Sequence, residues 1–173
     1  MKVISAMIVL LLSLGANQAL SAAMDQPLSA DESYLFKAYL NQLPDNELKT
    51  FKQLESIYLS LLQKDNPPGQ LNEDDIKLIL LFARYSNDHN NAAFQEYLRS
   101  DLLPVYQHNE KQFMKVLKDL PFFLTTACDF FNSHFGFEET GSEGKPAFIR
   151  NLKQNLEKDF NSSDTDSCLS EFK

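Results

Sequence analysis

The chain has 173 residues, 16 basic against 24 acidic side chains, and a net charge of −8. Read along its length it shows no basic stripe, which argues against nucleic acid and anionic membrane surfaces as partners, because both are held by clustered Lys and Arg. Five glycines are too few for a fold of many tight hairpins, while 14 Phe and six Tyr supply ample core material.

Met1 and Lys2 form a short basic start, Val3 to Leu14 is apolar and uncharged, and Gly15 breaks the run before the small residues Ala19, Ser21, Ala22 and Ala23. That is the layout of a secretory signal peptide. The apolar run of about twelve residues is shorter than the roughly 20 that a spanning helix needs. Ser21-Ala22-Ala23 places cleavage before Met24, with Ala19-Leu20-Ser21 as an earlier alternative. Residues 1–23 are therefore expected to be a signal peptide, and 24–173 a single all-α domain with a polar C-terminal tail. Loss of Lys2 leaves the mature chain one charge more negative. No cysteine lies near the cleavage region, and no later stretch is long and apolar enough to span a bilayer. The mature protein is expected to be periplasmic or secreted, with no stable membrane anchor.

Helical signals run from Ser29 onward. Ser29-Ala30-Asp31-Glu32 has the form of a capping box and opens a helix expected to reach about Leu43, where Pro44 ends it. Asp45 caps the next, whose Leu48, Phe51, Leu54, Tyr58, Leu61 and Leu62 recur at three- and four-residue spacing. Asp65-Asn66-Pro67-Pro68-Gly69 is a loop. Asn72 caps a third helix, with Glu73, Asp74 and Asp75 in the first turn where the helix dipole favours acids. Leu71 and Ile76 fit a hydrophobic staple across that start. Ile76 to Phe82 is apolar on nearly every side, as a central helix should be.

After a polar break from Ser86 to Asn91, a fourth helix carries Phe94, Tyr97, Leu98 and Leu102, and Pro104 is expected to kink it or to begin a new turn. Asn109-Glu110-Lys111-Gln112 reads as a further capping box before Phe113, Val116, Leu117 and Leu120. Pro121 fits the first turn of a sixth helix with Phe123, Ala127, Phe130, Phe131 and His134 on its buried side, and Gly136 ends it. Phe137 to Pro146 is an acidic, glycine-rich loop. A final helix presents Phe148, Ile149, Leu152, Leu156 and Phe160, and Asn161 to Ser167 is expected to be a loose polar segment.

Leu40-Asn41-Gln42-Leu43-Pro44 is echoed by Leu117-Lys118-Asp119-Leu120-Pro121, each closing a helix before a tight turn. From Asp74 to Pro121 come an apolar helix ending in Phe82-Ala83-Arg84-Tyr85, a polar break, a Tyr/Leu helix, and then Phe113-Met114-Lys115-Val116 leading into the second copy of the echo. This stretch, under a third of the chain, resembles the HEAT-like helical hairpins of bacterial exported proteins. The resemblance implies six to seven helices stacked as antiparallel hairpins in a right-handed superhelix that serves as a binding scaffold. A compact helical bundle is the other reading of the same pattern.

Two cysteines remain, Cys128 and Cys168. In an oxidising compartment such a pair is expected to form a disulfide, closing a loop of about 40 residues and stabilising by roughly 4 kcal/mol on the chain-entropy model. It would tie the tail to the sixth helix. The three histidines, His89, His108 and His134, are far apart, and none has the helical spacing of a zinc site. No G-x-S-x-G elbow is present. Gly144-Lys145 fails as a phosphate loop because Glu139 replaces its first glycine and Pro146 its Ser/Thr. Asp159 to Ser170 fails as a calcium loop because Asp164 and Ser170 replace the required Gly and Glu. Asn161-Ser162-Ser163 matches the N-glycosylation pattern, which matters only in a eukaryotic secretory route.

No cofactor, metal or catalytic residue is expected on these grounds. The expected function is that of an exported, non-enzymatic adaptor or scaffold that binds another protein. An inhibitor or immunity-type protein acting on a toxin or hydrolase in the periplasm is one alternative, and an enzyme without a recognisable motif is another. Phe135, Phe137, Glu138 and Glu139 are the candidate contact residues, although the two phenylalanines would equally serve to plug the end of the core.

Overall fold

The computed structural model describes residues 29–43, 47–137 and 144–172. The expected signal peptide, the Pro44–Asp45 turn and the Glu138–Glu139 loop lie outside them. The chain divides into two units, residues 1–33 and 34–173. In the first, Ser29 and Glu32 form the expected capping box: the Ser29 N–H donates to Glu32 Oε2 at 2.6 Å and the Glu32 N–H to Ser29 Oγ at 3.2 Å.

Among the described residues the fold is all-α. Its helices are α1 (Ala30–Tyr39), α2 (Glu47–Lys64), α3 (Glu73–Asp88), α4 (Ala92–His108), α5 (Glu110–Asp119), a 3-10 turn (Pro121–Phe123), α6 (Leu124–Phe137), α7 (Lys145–Asp159) and α8 (Ser162–Ser170). The α8 helix is the element the sequence pattern did not announce. Asn161 caps it by accepting from the Asp164 N–H at 2.9 Å, and Thr165 and Cys168 are buried beneath it. Its sequence is polar, so its placement comes from the disulfide and from packing on α6 and α7.

Capping chemistry sets most of the other ends. Asn72 accepts from the Asp74 and Asp75 N–H groups, and Asp75 accepts in return from the Asn72 N–H. The α1 helix stops at Tyr39, short of the expected Leu43, because Asn41 takes a left-handed φ of 55°. The Gln42 N–H then reaches Lys37 O and the Asn41 N–H reaches Ala38 O, closing the helix as a Schellman motif. Asn90, with φ 51°, ends α3 in the same way through Asn91 N to Ser86 O and Asn90 N to Asn87 O.

Two further expectations are corrected and one is narrowed. Pro104 lies inside a continuous α4 and begins no new helix, with Leu102, Leu103, Val105 and Tyr106 buried on either side of it. Gly136 does not end α6, which continues to Phe137. Asn109 makes no side-chain cap for α5, since its amide is spent elsewhere, as described below.

The α3 helix is central, as its all-round apolar run predicts. Ile76, Leu78, Ile79, Leu80, Phe82 and Ala83 are all buried, and α3 meets α2, α4, α5 and α6. The α4 helix packs closely against α6, and α8 lies on α6 and α7. Full burial of each large aliphatic or aromatic side chain stabilises by roughly 1.5–3 kcal/mol.

The rings gather into two groups. Tyr58, Phe82, Phe94 and Tyr97, with Phe51 beside them, have centroids 5.4 to 6.1 Å apart. Tyr106, Phe113, Phe131 and Phe148 form the second, at 5.0 to 5.9 Å.

Candidate functional site

Phe135, in the last turn of α6, is half-buried. Its ring centroid lies 5.4 Å from that of Phe148 and 5.7 Å from that of His134. It therefore plugs the end of the second aromatic group. The side chain of Phe137, together with Glu138 and Glu139, lies outside the described residues. Cys128 on α6 and Cys168 on α8 are bridged, with Cα atoms 5.4 Å apart and both residues fully buried.

The three histidines work as separate ties. His134 Nδ1–H donates to Arg99 O at 2.8 Å, and His89 Nε2–H to Tyr39 O at 3.0 Å; a carbonyl can only accept, which fixes each tautomer. His108 Nδ1 lies 3.0 Å from Asp65 Oδ2. Among the described residues, no group of three His, Cys, Asp or Glu side chains is arranged to hold a metal ion.

Asp65 is the hub of a polar knot between the α2–α3 loop and the α4–α5 junction. Its Oδ1 accepts from the Gly69 N–H at 2.8 Å and from Asn109 Nδ2 at 3.0 Å. Asn109 is 1% exposed; its Nδ2 also donates to Val105 O, and its Oδ1 accepts from the Leu71 N–H. Burial works to raise the Asp65 carboxyl, but the bonds from Asn109, His108 and the Gly69 and Gln70 N–H groups prevail and hold it below the usual carboxylate range. Gly69 has φ +86° and a Cβ there would meet His108 O at 3.2 Å, so the loop requires glycine. The knot ties the α2–α3 loop to the α4–α5 junction, and its work is to hold the fold.

Two surfaces remain that the fold does not consume. The first is apolar. The exposed large hydrophobic side chains of the described residues are Phe36, Leu40, Leu48, Leu59 and Phe122; Phe36 is on α1, Leu40 in the turn that follows it, and Leu48 and Leu59 on α2. Phe36 is 42% and Leu40 55% exposed, and they stand one turn apart, since the Leu40 N–H still bonds to Phe36 O. On α2, Leu48 is 65% and Leu59 45% exposed; eleven residues is close to three turns, so they share a side of the helix. That side lies roughly opposite the buried stripe of Leu54, Ile57, Tyr58 and Leu61. The sequence pattern assigned Leu48 to the core because its spacing to Phe51 fits a helix face, but the burial stripe is centred further round.

The second surface is a groove of about 500 Å³ between α5 and α7. Lys111, Lys115 and Lys118 line it from α5, Lys158 and Asp159 from α7, and Met114 is nearly buried at its base. Glu110 and Asn155 join across it, Asn155 Nδ2 donating to Glu110 Oε1 at 2.9 Å. Lys118 Nζ bonds to Asp159 at 2.7 Å, and Lys115 Nζ to Glu73 on α3 at 2.6 Å. These bonds raise the pKa of both lysines. Lys158 Nζ donates to the Asn155 amide oxygen at 3.1 Å, and among the described residues neither Lys158 nor Lys111 has a carboxylate partner. A basic stripe therefore does exist in this acidic chain. The i, i+4, i+7 spacing of Lys111, Lys115 and Lys118 is the signal that a count of net charge passes over.

In comparison with known proteins, the chain matches no family model, no curated protein and no solved structure.

Proposed function

We propose that this is an exported, non-enzymatic protein whose helical scaffold binds another protein through the outward side of α1 and α2. The observation that carries the reading is the segregation of exposed apolar side chains. Four of the five exposed large hydrophobics stand on α1 with its closing turn and on α2, Phe36 and Leu40 on the first and Leu48 and Leu59 on the second. Single exposed apolar residues are ordinary, but four of them on two consecutive segments of the chain support an interaction surface there. Sequence-adjacent helices pack as neighbours, α2 on α3, α3 on α4, α4 on α5 and α7 on α8, which supports the stacked-hairpin arrangement of a HEAT-like scaffold.

Export belongs to the same proposal. The disulfide is compatible with an oxidising compartment, and among the described residues no helix is long and apolar enough to cross a membrane. The layout of residues 1–23 supplies the route. Mass spectrometry of the protein recovered from its compartment is expected to give an N-terminus at Met24 and the Cys128–Cys168 linkage. An intact N-terminus with two free thiols would overturn export.

For binding, a photocrosslinking amino acid placed at Leu40 or Leu48 is expected to yield a discrete adduct that the same group at exposed Gln154 on α7 does not. Phe36→Ser with Leu40→Ser should abolish the adduct formed from position 48 and leave the helical circular dichroism unchanged. Identical adducts from all three positions would overturn the α1–α2 surface.

A further inference from the structure

The α5–α7 groove calls for an occupant of opposite charge. Four amines face it against two carboxylates, in a chain whose net charge is −8. Its own ion pairs do not close it. Lys115–Glu73 and Lys118–Asp159 are exposed pairs, with lysine side chains 59% and 57% accessible, so they are exchanged at little cost. Lys111 and Lys158 are exposed and lack a carboxylate among the described residues. The groove is an open trough. A small ligand normally sits in an enclosed and largely apolar pocket, so this shape suits a chain segment.

The spacing of the amines defines that segment. On a helix rising about 1.5 Å per residue, Lys111 and Lys115 stand about 6 Å apart along the axis, and Lys111 to Lys118 spans about 10.5 Å. In an extended strand, side chains on one side recur about every 6.6 Å. Carboxylates two residues apart therefore match the Lys111–Lys115 step, and the flexible Lys118 stem takes up the roughly 2.7 Å by which a third carboxylate overshoots, while small apolar residues between them lie against Met114 and the lysine stems.

We propose that the groove between α5 and α7 binds an extended acidic segment of a partner protein, with Asp or Glu at every second residue. The proposal rests on the reading of this protein as a protein binder but uses a surface distinct from α1 and α2. A failure here leaves the crosslinking result on that face standing, and a failure there leaves the groove untouched.

The probe is a fluorescein-labelled, end-blocked pentapeptide Glu-Ala-Glu-Ala-Glu, titrated with the purified protein and read by fluorescence anisotropy. Its isomer Glu-Glu-Ala-Ala-Glu has the same charge but lacks carboxylates at consecutive alternate positions. The alternating peptide is expected to bind about fivefold more tightly than the isomer, and added salt should weaken it. Lys111→Glu with Lys158→Glu should weaken it about tenfold or more, and Lys111→Gln with Lys158→Gln by a smaller factor. Lys37→Glu with Lys52→Glu, which makes the same change in net charge on the first two helices, should alter binding less than about twofold. These side chains are exposed, and an unchanged thermal transition confirms that each variant is folded. Equal binding of the two isomers would overturn the proposal, as would an equal loss in the Lys37/Lys52 variant. So would absence of binding at about 1 mM protein, or lysine-dependent self-association showing that a second copy fills the groove.

Discussion

The ring cluster around Tyr58 and the one around Tyr106 share α4, which gives Phe94 and Tyr97 to the first and Tyr106 to the second. They are built of similar rings at similar distances but are fastened by different chemistry. The first is edged with tyrosine hydroxyls that donate to carboxylates on other helices: Tyr58 to Asp101 at 3.0 Å and Tyr97 to Glu55 at 2.8 Å. Tyr39 does the same for α1, donating to Asp88 at 2.7 Å. The second cluster is otherwise phenylalanine. Burial pushes the Tyr106 hydroxyl up to about 12, the Asn155 amide opposing and the Glu110 charge adding to the rise. Here the fastening is covalent, through Cys128 and Cys168, with Phe172 lying 6.0 Å from Phe148 at the chain's end. One half of the core is therefore edged by hydrogen bonds that substitution can remove singly, and the other is held by a covalent bond.

Removing the bond should have the largest effect. Replacing both Cys128 and Cys168 by Ser is expected to lower stability by about 4 kcal/mol for a loop of this length. Hydrogen exchange should show α8 losing protection first, with α2 and α3 changing only as far as global stability falls. Equal early loss across α2 and α8 would mean that the two clusters are not separately fastened. Next in size is Asn109→Ala, at about 2–3 kcal/mol, because it strips a buried acceptor from the Leu71 N–H and a donor from Asp65. A urea midpoint with an unchanged slope would carry that value. A loss below about 0.5 kcal/mol would mean that the α2–α3 loop holds without its knot.

The difference between the clusters also explains what could be read beforehand. Each helix with a strong apolar run was legible, as were α3 at the centre and the cysteine pair, which needs only a count and a compartment. The tyrosine–carboxylate bonds were not legible. Tyr58 to Asp101, Tyr97 to Glu55 and Tyr39 to Asp88 join residues more than forty positions apart, and neither partner carries a local signature. Asn109 misled for a related reason: its local sequence fits a helix cap, but tertiary partners at Asp65 and Leu71 claimed the amide. The α8 helix was hidden because its polar residues carry no periodic apolar face and its position depends on Cys168. The α1–α2 surface and the lysine groove were missed because exposure depends on which side of a helix its neighbours cover.

Within the first cluster, Tyr58→Phe isolates a single hydroxyl. Tyr58 is fully buried, and desolvation together with the Asp101 charge and hydrogen bond drives its pKa far upward, so it is protonated and donating at any working pH. The ring is kept and the bond lost, and Asp101 Oδ1 still lies 2.9 Å from Ser100 Oγ. The expected cost is about 1 kcal/mol, a fraction of the disulfide's. A loss approaching 3 kcal/mol would show that the hydroxyl network acts as one unit, which a double-mutant cycle with Asp101→Asn would measure.

The smallest effect is one of pH, and it sets the clusters against each other directly. Burial raises the Asp88 carboxyl, but hydrogen bonds from Tyr39 and Arg84 and the Arg84 charge outweigh it, so its folded pKa lies below the usual range. A carboxylate lowered in the folded state adds stability above its unfolded pKa, about 3.9. That contribution falls away as pH drops from there through the folded value. Asp88→Asn keeps an oxygen to accept from Tyr39 and Arg84 but does not titrate. The wild type should therefore exceed the variant in urea midpoint near pH 6, and the gap should close below about pH 4. Reduction of the Cys128–Cys168 bond should leave that pH-dependent gap in place, because the Arg84–Asp88 pair joins groups of α3 and the disulfide joins α6 to α8. A gap that stays constant from about pH 2 to 6 would show that Asp88 acts through packing, and a gap abolished by reduction would show that the two fastenings are one.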